Sequence, residues 1–401
     1  MTATGRGAQI RVGGIGLQDL QNGPGIVTLP PDDRVFVHTR TNTTRSLDVT
    51  RQDRMLMAAL ERALAYQAQS LQVVSRTFAL TIPQLPEALR DAVGNGYLLC
   101  RIADTIEDDP DMPWEKKACW QAKFLQVVEG ADDPAAFAAA LGADLSPEMP
   151  EAEHDLIRHT PEVVAITHSL NPTQQAALSR CVRIMGMGMA EFQQHASLQG
   201  LADMAALDRY CYVVAGVVGE MLTSLFVEFE PLLAEHDAEM QRLAVSFGQG
   251  LQMTNILKDI WDDWQRGVSW MPRALFQRHG CDIAGVRPGS RDPAFQAGLT
   301  ELLGIAANHL QNALRYTLLI PAGQTGMRDF CLWAIAMAVL TLRRIAENPA
   351  FASGSEVKIS RRSVHRVVFL SRLLHRSDAL LQWSFRVGVK PLPLPSAVAQ
   401  P

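Results

Sequence analysis

The chain has 401 residues, of which 47% are hydrophobic and 20% charged, with a formal net charge of −5. This is the composition of a globular protein with a large core, and it excludes a disordered or fibrous chain. The acidic balance gives no basis for nucleic acid as a partner.

Residues 1–50 show little helical periodicity and are rich in Gly, Thr, Asp and Pro, so they read as an irregular N-terminal extension without a β-hairpin signal. No basic region followed by an apolar run opens the chain, so no secretory signal is expected. From Arg51 onward apolar residues recur at helical spacing. Helices are expected over about 50–71, 75–82, 86–108, 113–128, 132–141, 150–168, 172–197, 203–230, 236–265, 272–277, 291–317, 325–347 and 360–387. Pro83, Pro86, Pro110, Pro113, Pro147, Pro172 and Pro272 punctuate them. The Gly186-Met-Gly188 stretch is helical in pattern and reads as close helix packing, not as a dinucleotide loop. The expected architecture is all-α, a single bundle around a central cavity over residues 51–388, with a C-terminal tail over 389–401.

No segment is expected to span a bilayer. The longest apolar run, Phe330 to Leu342, falls short of the roughly 20 residues a span needs. Cys100, Cys119, Cys181, Cys211, Cys281 and Cys331 are widely spaced in apolar contexts, which predicts buried free thiols in a reducing, cytoplasmic compartment. Residues 360–387 interleave Arg361, Arg362, Arg366, Arg372, His375, Arg376 and Arg386 with Val, Phe, Leu and Trp383. They read either as a surface helix with one solvated face or as a peripheral contact with anionic lipid.

Two acidic stripes carry the chemistry. The first is Arg101-Ile-Ala-Asp104-Thr-Ile-Glu107-Asp108-Asp109. The second is Gln252-Met-Thr-Asn255-Ile-Leu-Lys258-Asp259-Ile-Trp-Asp262-Asp263. At the helical rotation of about 100° per residue, Gln252, Asn255, Asp259 and Asp263 share one face, and so do Arg101, Asp104 and Asp108. Carboxylates are costly to desolvate, so two such stripes facing a core call for a cation between them. Mg²⁺ with a diphosphate fits, because Mg²⁺ takes oxygen ligands from one or two carboxylates and from phosphate. Asn255 adds a neutral oxygen, and Arg101 or Lys258 can meet phosphate directly. The competing reading is a pair of solvated faces with ordinary i,i+4 charges.

These residues resemble the squalene/phytoene synthase family, and its squalene-type branch more than its phytoene-type branch, over roughly residues 70–385. The resemblance rests on Ser75-Arg76-Thr77-Phe78, on both stripes, on Gly188-Met-Ala-Glu191-Phe192 with Tyr210-Cys-Tyr-Val-Val-Ala-Gly-Val-Val-Gly219, and on Phe330-Cys331 followed by Val357-Lys358-Ile359. It implies a class I isoprenoid synthase fold. It implies two farnesyl diphosphates condensed to presqualene diphosphate, then rearranged and reduced by NADPH to squalene. It implies Mg²⁺, with Mn²⁺ as a substitute, held by Asp104, Glu107, Asp108, Asn255, Asp259 and Asp263. It further implies diphosphate contacts from Ser75, Arg76, Thr77 and Arg101, and support of the second site by Gln252. Tyr210 would assist ionisation or proton transfer, Phe78 and Phe330 would line the cation pocket, and Lys358 would meet NADPH phosphates. Ala334 and Ile335 stand where many relatives carry Pro-Gln, which keeps open a condensing enzyme that stops at presqualene diphosphate or makes hydroxysqualene or dehydrosqualene. Phytoene synthesis, cyclisation of a single diphosphate and a non-catalytic isoprenoid-binding scaffold are the further alternatives.

Overall fold

Proline and capping residues set most of the helix boundaries in the computed structural model, which describes residues 34–38, 44–48, 51–75 and 77–393. The chain divides into two units, residues 1–62 and 63–401.

In the first unit β1 (Arg34–His38) and β2 (Thr44–Asp48) pair antiparallel, with Arg34 opposite Asp48 and His38 opposite Thr44. This corrects the expectation of no hairpin in residues 1–50. The signal is short: Val35-Phe36-Val37 are strand-favouring residues, but β2 has a weak pattern. α1 (Arg51–Val74) follows, its residues from Ala63 onward belonging to the second unit.

The second unit is all-α. Its helices are α2 (Phe78–Thr81), α3 (Glu87–Asp108), α4 (Trp114–Val128), α5 (Pro134–Asp144), α6 (Glu151–Arg158), α7 (Thr160–Ser169), α8 (Pro172–Gln194), α9 (Met204–Cys211), α10 (Val217–Phe229), α11 (Asp237–Gln265), α12 (Arg273–Arg278), α13 (Pro293–Leu319), α14 (Thr325–Glu347), α15 (Arg361–Leu374) and α16 (Asp378–Val389).

Two expected helices are broken in the structure. The 150–168 helix divides at His159, because Pro161 in the first turn of α7 cannot continue the preceding ladder. The 360–387 helix divides after Leu374. There the buried Arg328 of α14 collects the His375 carbonyl at 2.9 Å and the Asp378 carboxylate at 2.7 Å, and Ser377 caps α16.

α9 and α10 are joined by a π-helical turn, Tyr212–Gly216. The run Met204–Phe229 is long and apolar enough to cross a membrane, contrary to expectation. It packs against α8 and α11 inside the bundle and buries Tyr210, Cys211, Val217, Met221, Leu225 and Phe226, as a core helix does. Five of the cysteines are buried free thiols; Cys119 is exposed, against expectation.

The apolar residues form two clusters. One gathers Leu89, Leu99 and Ile106 of α3 with Phe124, Leu178 and Phe226. The other gathers Met253, Leu257 and Trp261 of α11 with Phe276, Leu302 and Trp333. Phe247 and Val214 pack against both. α3 belongs to the first cluster, which Met240, Leu243 and Ala244 at the start of α11 also join, whereas the stripe-bearing second half of α11 belongs to the other.

Candidate functional site

α3 buries Leu98, Leu99, Ile102, Ala103 and Ile106, which turns Arg101, Asp104 and Glu107 to its other side. The helix ends at Asp108. The next residue, Asp109, is buried and structural: its carboxylate accepts from the backbone N–H of Asp111, Met112 and Ser146 at 2.8–3.0 Å. Arg101 donates through Nε to Glu153 Oε1 at 2.9 Å, and Thr105 Oγ1 donates to the other oxygen of Glu153. Glu153 of α6 is buried, and the pair fixes the guanidinium, whose Nη1 lies 3.9 Å from Asp104 Oδ2. Burial pushes the Asp104 carboxyl well above the usual range; Arg101 opposes this, and Asp108 and Glu107 add to it. Burial, reinforced by Asp108, raises Glu107 to about 7, although Gln193 Nε2 donates to it at 3.0 Å.

On α11 the second stripe runs from half-buried Gln252 and exposed Asn255 through Asp259 to buried Asp263. Lys258 Nζ lies 3.0 Å from Asp259 Oδ2. Burial raises Asp259, against the pull of Lys258, and raises Asp263 to about 6 despite a hydrogen bond from Arg266.

Arg266 is where the stripes meet. α11 stops because Gly267 takes a φ of 79°, open to glycine at little cost, and Val268 N donates back to Asp263 O at 3.1 Å. Arg266 is left at the helix end, donating through Nη2 to Asp263 Oδ1 and through Nη1 to Asp108 Oδ1 at 3.3 Å. Tyr210 faces the same place. It is buried, stacks on Trp270 at 4.1 Å and 9°, and meets Phe192 edge-on at 5.2 Å. Burial, with Glu107 and Asp263 nearby, holds its phenol well above the ordinary pKa.

The structure also brings the aromatic candidates together. Phe78 and Phe330 lie 6.3 Å apart between ring centroids, with Tyr97 5.0 Å from Phe78 and Phe226 6.0 Å from Phe330. Ser75 is buried beside them and accepts from Phe78 N at 2.9 Å. The Thr77 carbonyl accepts from Leu80 and Thr81 N–H at the start of α2. Arg76 lies outside the described residues. Lys358 is exposed, but its loop reaches the second stripe: a Cβ on Gly354 would sit 3.1 Å from Asp259 Oδ1. Ala334 and Ile335 are both buried, Ile335 within the second apolar cluster. His195 ends α8 and lines a hollow of about 200 Å³ with Glu191, Phe192, Arg209 and Trp270.

Sequence reasoning missed Arg266, Glu153 and Trp270. Arg266 had a signal, a base three residues past Asp263 and just before a glycine. Glu153 had none, since it sits 52 residues from Arg101.

The donor set suits a hard divalent cation: all the candidate ligands are oxygens, and the upward shifts of Asp104, Glu107 and Asp263 are the penalty such a cation would relieve. Among the described residues no three His, Cys, Asp or Glu side chains converge as a preformed metal cluster. The Arg266 guanidinium instead neutralises Asp108 and Asp263 together.

A family profile for squalene/phytoene synthase matches residues 71–363. Squalene synthase ERG9 of Gibberella zeae is 30% identical over 307 residues, which is 75% of this chain and 62% of that one. The Candida albicans squalene synthase ERG9 is 30% identical over 76% of this chain and 66% of its own. The Homo sapiens squalene synthase is 30% identical over 76% of this chain and 67% of its own. The matched region thus spans just under two thirds of the first two relatives. Solved structures share the all-α fold: TcSQS in complex with a ligand has a TM-score of 0.67 at 23% identity, covering 84% of this chain and 94% of that one. A dehydrosqualene synthase in complex with a ligand has a TM-score of 0.56 at 20% identity, covering 80% and 99%.

Proposed function

The chain belongs to the squalene/phytoene synthase family, and on that footing we propose that it is a farnesyl-diphosphate farnesyltransferase of the squalene synthase type. Two farnesyl diphosphates condense to presqualene diphosphate with loss of one diphosphate, and an NADPH-dependent step completes squalene. The observation that carries this reading is the meeting of two acidic stripes from separate helices at Asp108, Arg266 and Asp263.

Asp104, Glu107, Asp108, Asn255, Asp259 and Asp263 would hold Mg²⁺, or Mn²⁺ in its place. When bound, the ions neutralise the charge that grows on the departing diphosphate. Ser75, Arg76, Thr77 and Arg101 orient that group, with Arg101 pinned by Glu153 so that its remaining nitrogen stays near Asp104. Gln252 sits one turn before Asn255 and supports the second site. Tyr210 remains protonated beside Glu107 and Asp263, so it acts as a hydrogen-bond donor and not as the base. A proton leaving the new cyclopropyl centre then goes to a diphosphate oxygen. The Phe78, Tyr97, Phe226 and Phe330 rings exclude water and present π faces to an allylic cation. Lys358 would meet the phosphates of NADPH.

Gas chromatography–mass spectrometry of products from farnesyl diphosphate and Mg²⁺, with and without NADPH, tests the proposal. The expected result is squalene with NADPH and presqualene diphosphate without it. One observation favours a second reading. Ala334 and Ile335 leave only apolar side chains where many squalene-type relatives carry a glutamine. A presqualene, hydroxysqualene or dehydrosqualene product even with NADPH would select that reading, and a C40 product would overturn both in favour of phytoene synthesis.

A further inference from the structure

α15 and α16 pack one side against the bundle, and among the described residues nothing covers the other. Val367 and Ser371 of α15 and Leu381, Phe385 and Val389 of α16 are buried. Trp333 Nε1 donates to Ser371 Oγ at 2.6 Å, and His375 Nδ1 lies 2.9 Å from Asp329 Oδ1, so the inward side is fixed to α14.

The outward side is both apolar and cationic. Phe369, Leu373 and Trp383 are 65%, 63% and 61% exposed, and Leu370, Leu380 and Val387 are exposed with them. By helical rotation, Arg362, His365, Arg366, Phe369 and Leu373 fall within about 100° of one another, opposite Val367. Residues 361–390 hold seven Arg or Lys and a single acid, Asp378, in a chain whose net charge is −5. That acid is already committed to buried Arg328 at 2.7 Å. Arg361, Arg362, Arg366 and Arg376 make no ion pair or hydrogen bond among the described residues.

A merely solvated face does not need exposed Phe, Leu and Trp side chains, and a face made for a protein helix of mixed charge does not need to exclude acids. Apolar anchors interleaved with unpaired arginines match the acyl–headgroup boundary of an anionic bilayer. We propose that α15 and α16 form a peripheral docking surface for an anionic lipid bilayer. Phe369, Leu373 and Trp383 enter the interface, and Arg362, Arg366, Arg376 and Arg386 meet the headgroup phosphates. The loop that sets Gly354 against Asp259 leads directly into α15, so docking holds the second acidic stripe near the bilayer. That this helps an isoprenoid enter or leave rests on the proposed activity; the docking itself does not.

Flotation of the full chain with phosphatidylcholine vesicles, with and without phosphatidylglycerol, tests the surface. Binding should rise at least about tenfold with phosphatidylglycerol and fall with added salt. The double variants Arg366→Glu/Arg376→Glu and Phe369→Ser/Trp383→Ser should each lose binding by about tenfold, while vesicle-free turnover and circular dichroism match the parent. Equal binding to neutral vesicles, or parental binding by either variant, would overturn the proposal. So would a parent that ignores vesicles yet forms dimers which Phe369→Ser/Trp383→Ser dissolves, because the occupant would then be a second copy of the chain. The vesicle-free turnover assay separates failure of docking from failure of the proposed chemistry.

Discussion

Arg266 and Asp108 are 158 residues apart in the chain and 3.3 Å apart in space. The same guanidinium also holds Asp263, so one cation spans the two stripes. A like-charged meeting point is thereby kept intact before any diphosphate arrives.

Replacing Arg266 with glutamine should expose that function. Asp263 is buried and would lose its counter-charge, whereas Arg266 and Asp108 are largely solvent-facing, so the loss is about 1–2 kcal/mol and not that of a fully buried pair. Because a divalent cation can supply the missing charge, Mg²⁺ with inorganic diphosphate should raise the melting temperature of Arg266→Gln more than that of the parent. Differential scanning calorimetry with and without these additions measures both effects. Equal Mg²⁺-induced shifts would show that Arg266 and the metal do not serve the same carboxylates.

Asp104 gives the opposite stability sign. Its folded-state pKa is raised, chiefly by burial, so ionising it costs more in the folded chain than in the unfolded one. That cost is absent below the unfolded pKa and grows as pH rises through the folded one. Asp104→Asn should therefore be as stable as the parent or more so near pH 8 in urea unfolding. Its turnover should fall by at least about a hundredfold if the carboxylate holds a metal. A variant both unstable and active would reverse the assignment.

Acid sensitivity should come partly from α13, far from the acidic stripes in sequence. His309 is held neutral by burial, with its pKa lowered to about 4, and its Nδ1 lies 2.8 Å from Ser246 Oγ of α11. Between pH 6.5 and 4 the unfolded chain binds a proton that the folded chain refuses, so stability falls as pH falls through this window. From pH 7.5 to pH 5 the loss is about 2 kcal/mol. The raised carboxyls Asp104, Glu107 and Asp263 act in the other direction over part of this range, so the measurement must be a difference. Urea unfolding of parent and His309→Gln at both pH values isolates it: the variant should lack about 2 kcal/mol of the parent's acid loss. An identical loss in both would remove His309 from the account.

Most of the helical frame could be read from local sequence, because apolar spacing and prolines act within a few residues. The 325–347 helix is found at its expected bounds, and α3, α4 and α11 begin and end within about two residues of theirs. The acidic stripes were equally legible, since helical rotation alone puts Asp259 and Asp263 on one face. The misses needed information that no local window holds. Arg328 interrupts the last long helix from about 50 positions away in sequence, and Glu153 anchors Arg101 across 52. Trp270 joins the Tyr210 stack from beyond the end of α11, which becomes visible only once Gly267 has turned the chain. Pro161, by contrast, is a local signal for the break between α6 and α7.

The π turn after Tyr210 supplies a final test linking packing to chemistry. A Cβ on Gly188 of α8 would fall 2.4 Å from Val213 Cγ1, inside that turn. Contact at this distance forces the neighbour to move, and overpacking of this kind costs about 1–3 kcal/mol. Val213 lies three residues after Tyr210, so the displacement should reach the Tyr210–Trp270 stack and the hydrogen-bond donor it holds in place. Gly188→Ala should lower kcat by about tenfold or more while leaving KM for farnesyl diphosphate near the parental value, the pattern of a misplacement by a fraction of an ångström. Val213→Ala in the Gly188→Ala background removes the colliding methyls and should recover most of both stability and kcat. Steady-state kinetics and urea unfolding of the two single variants and the double variant form the required cycle. If the double variant recovers stability but not kcat, the close approach at Gly188 serves folding alone and does not position Tyr210.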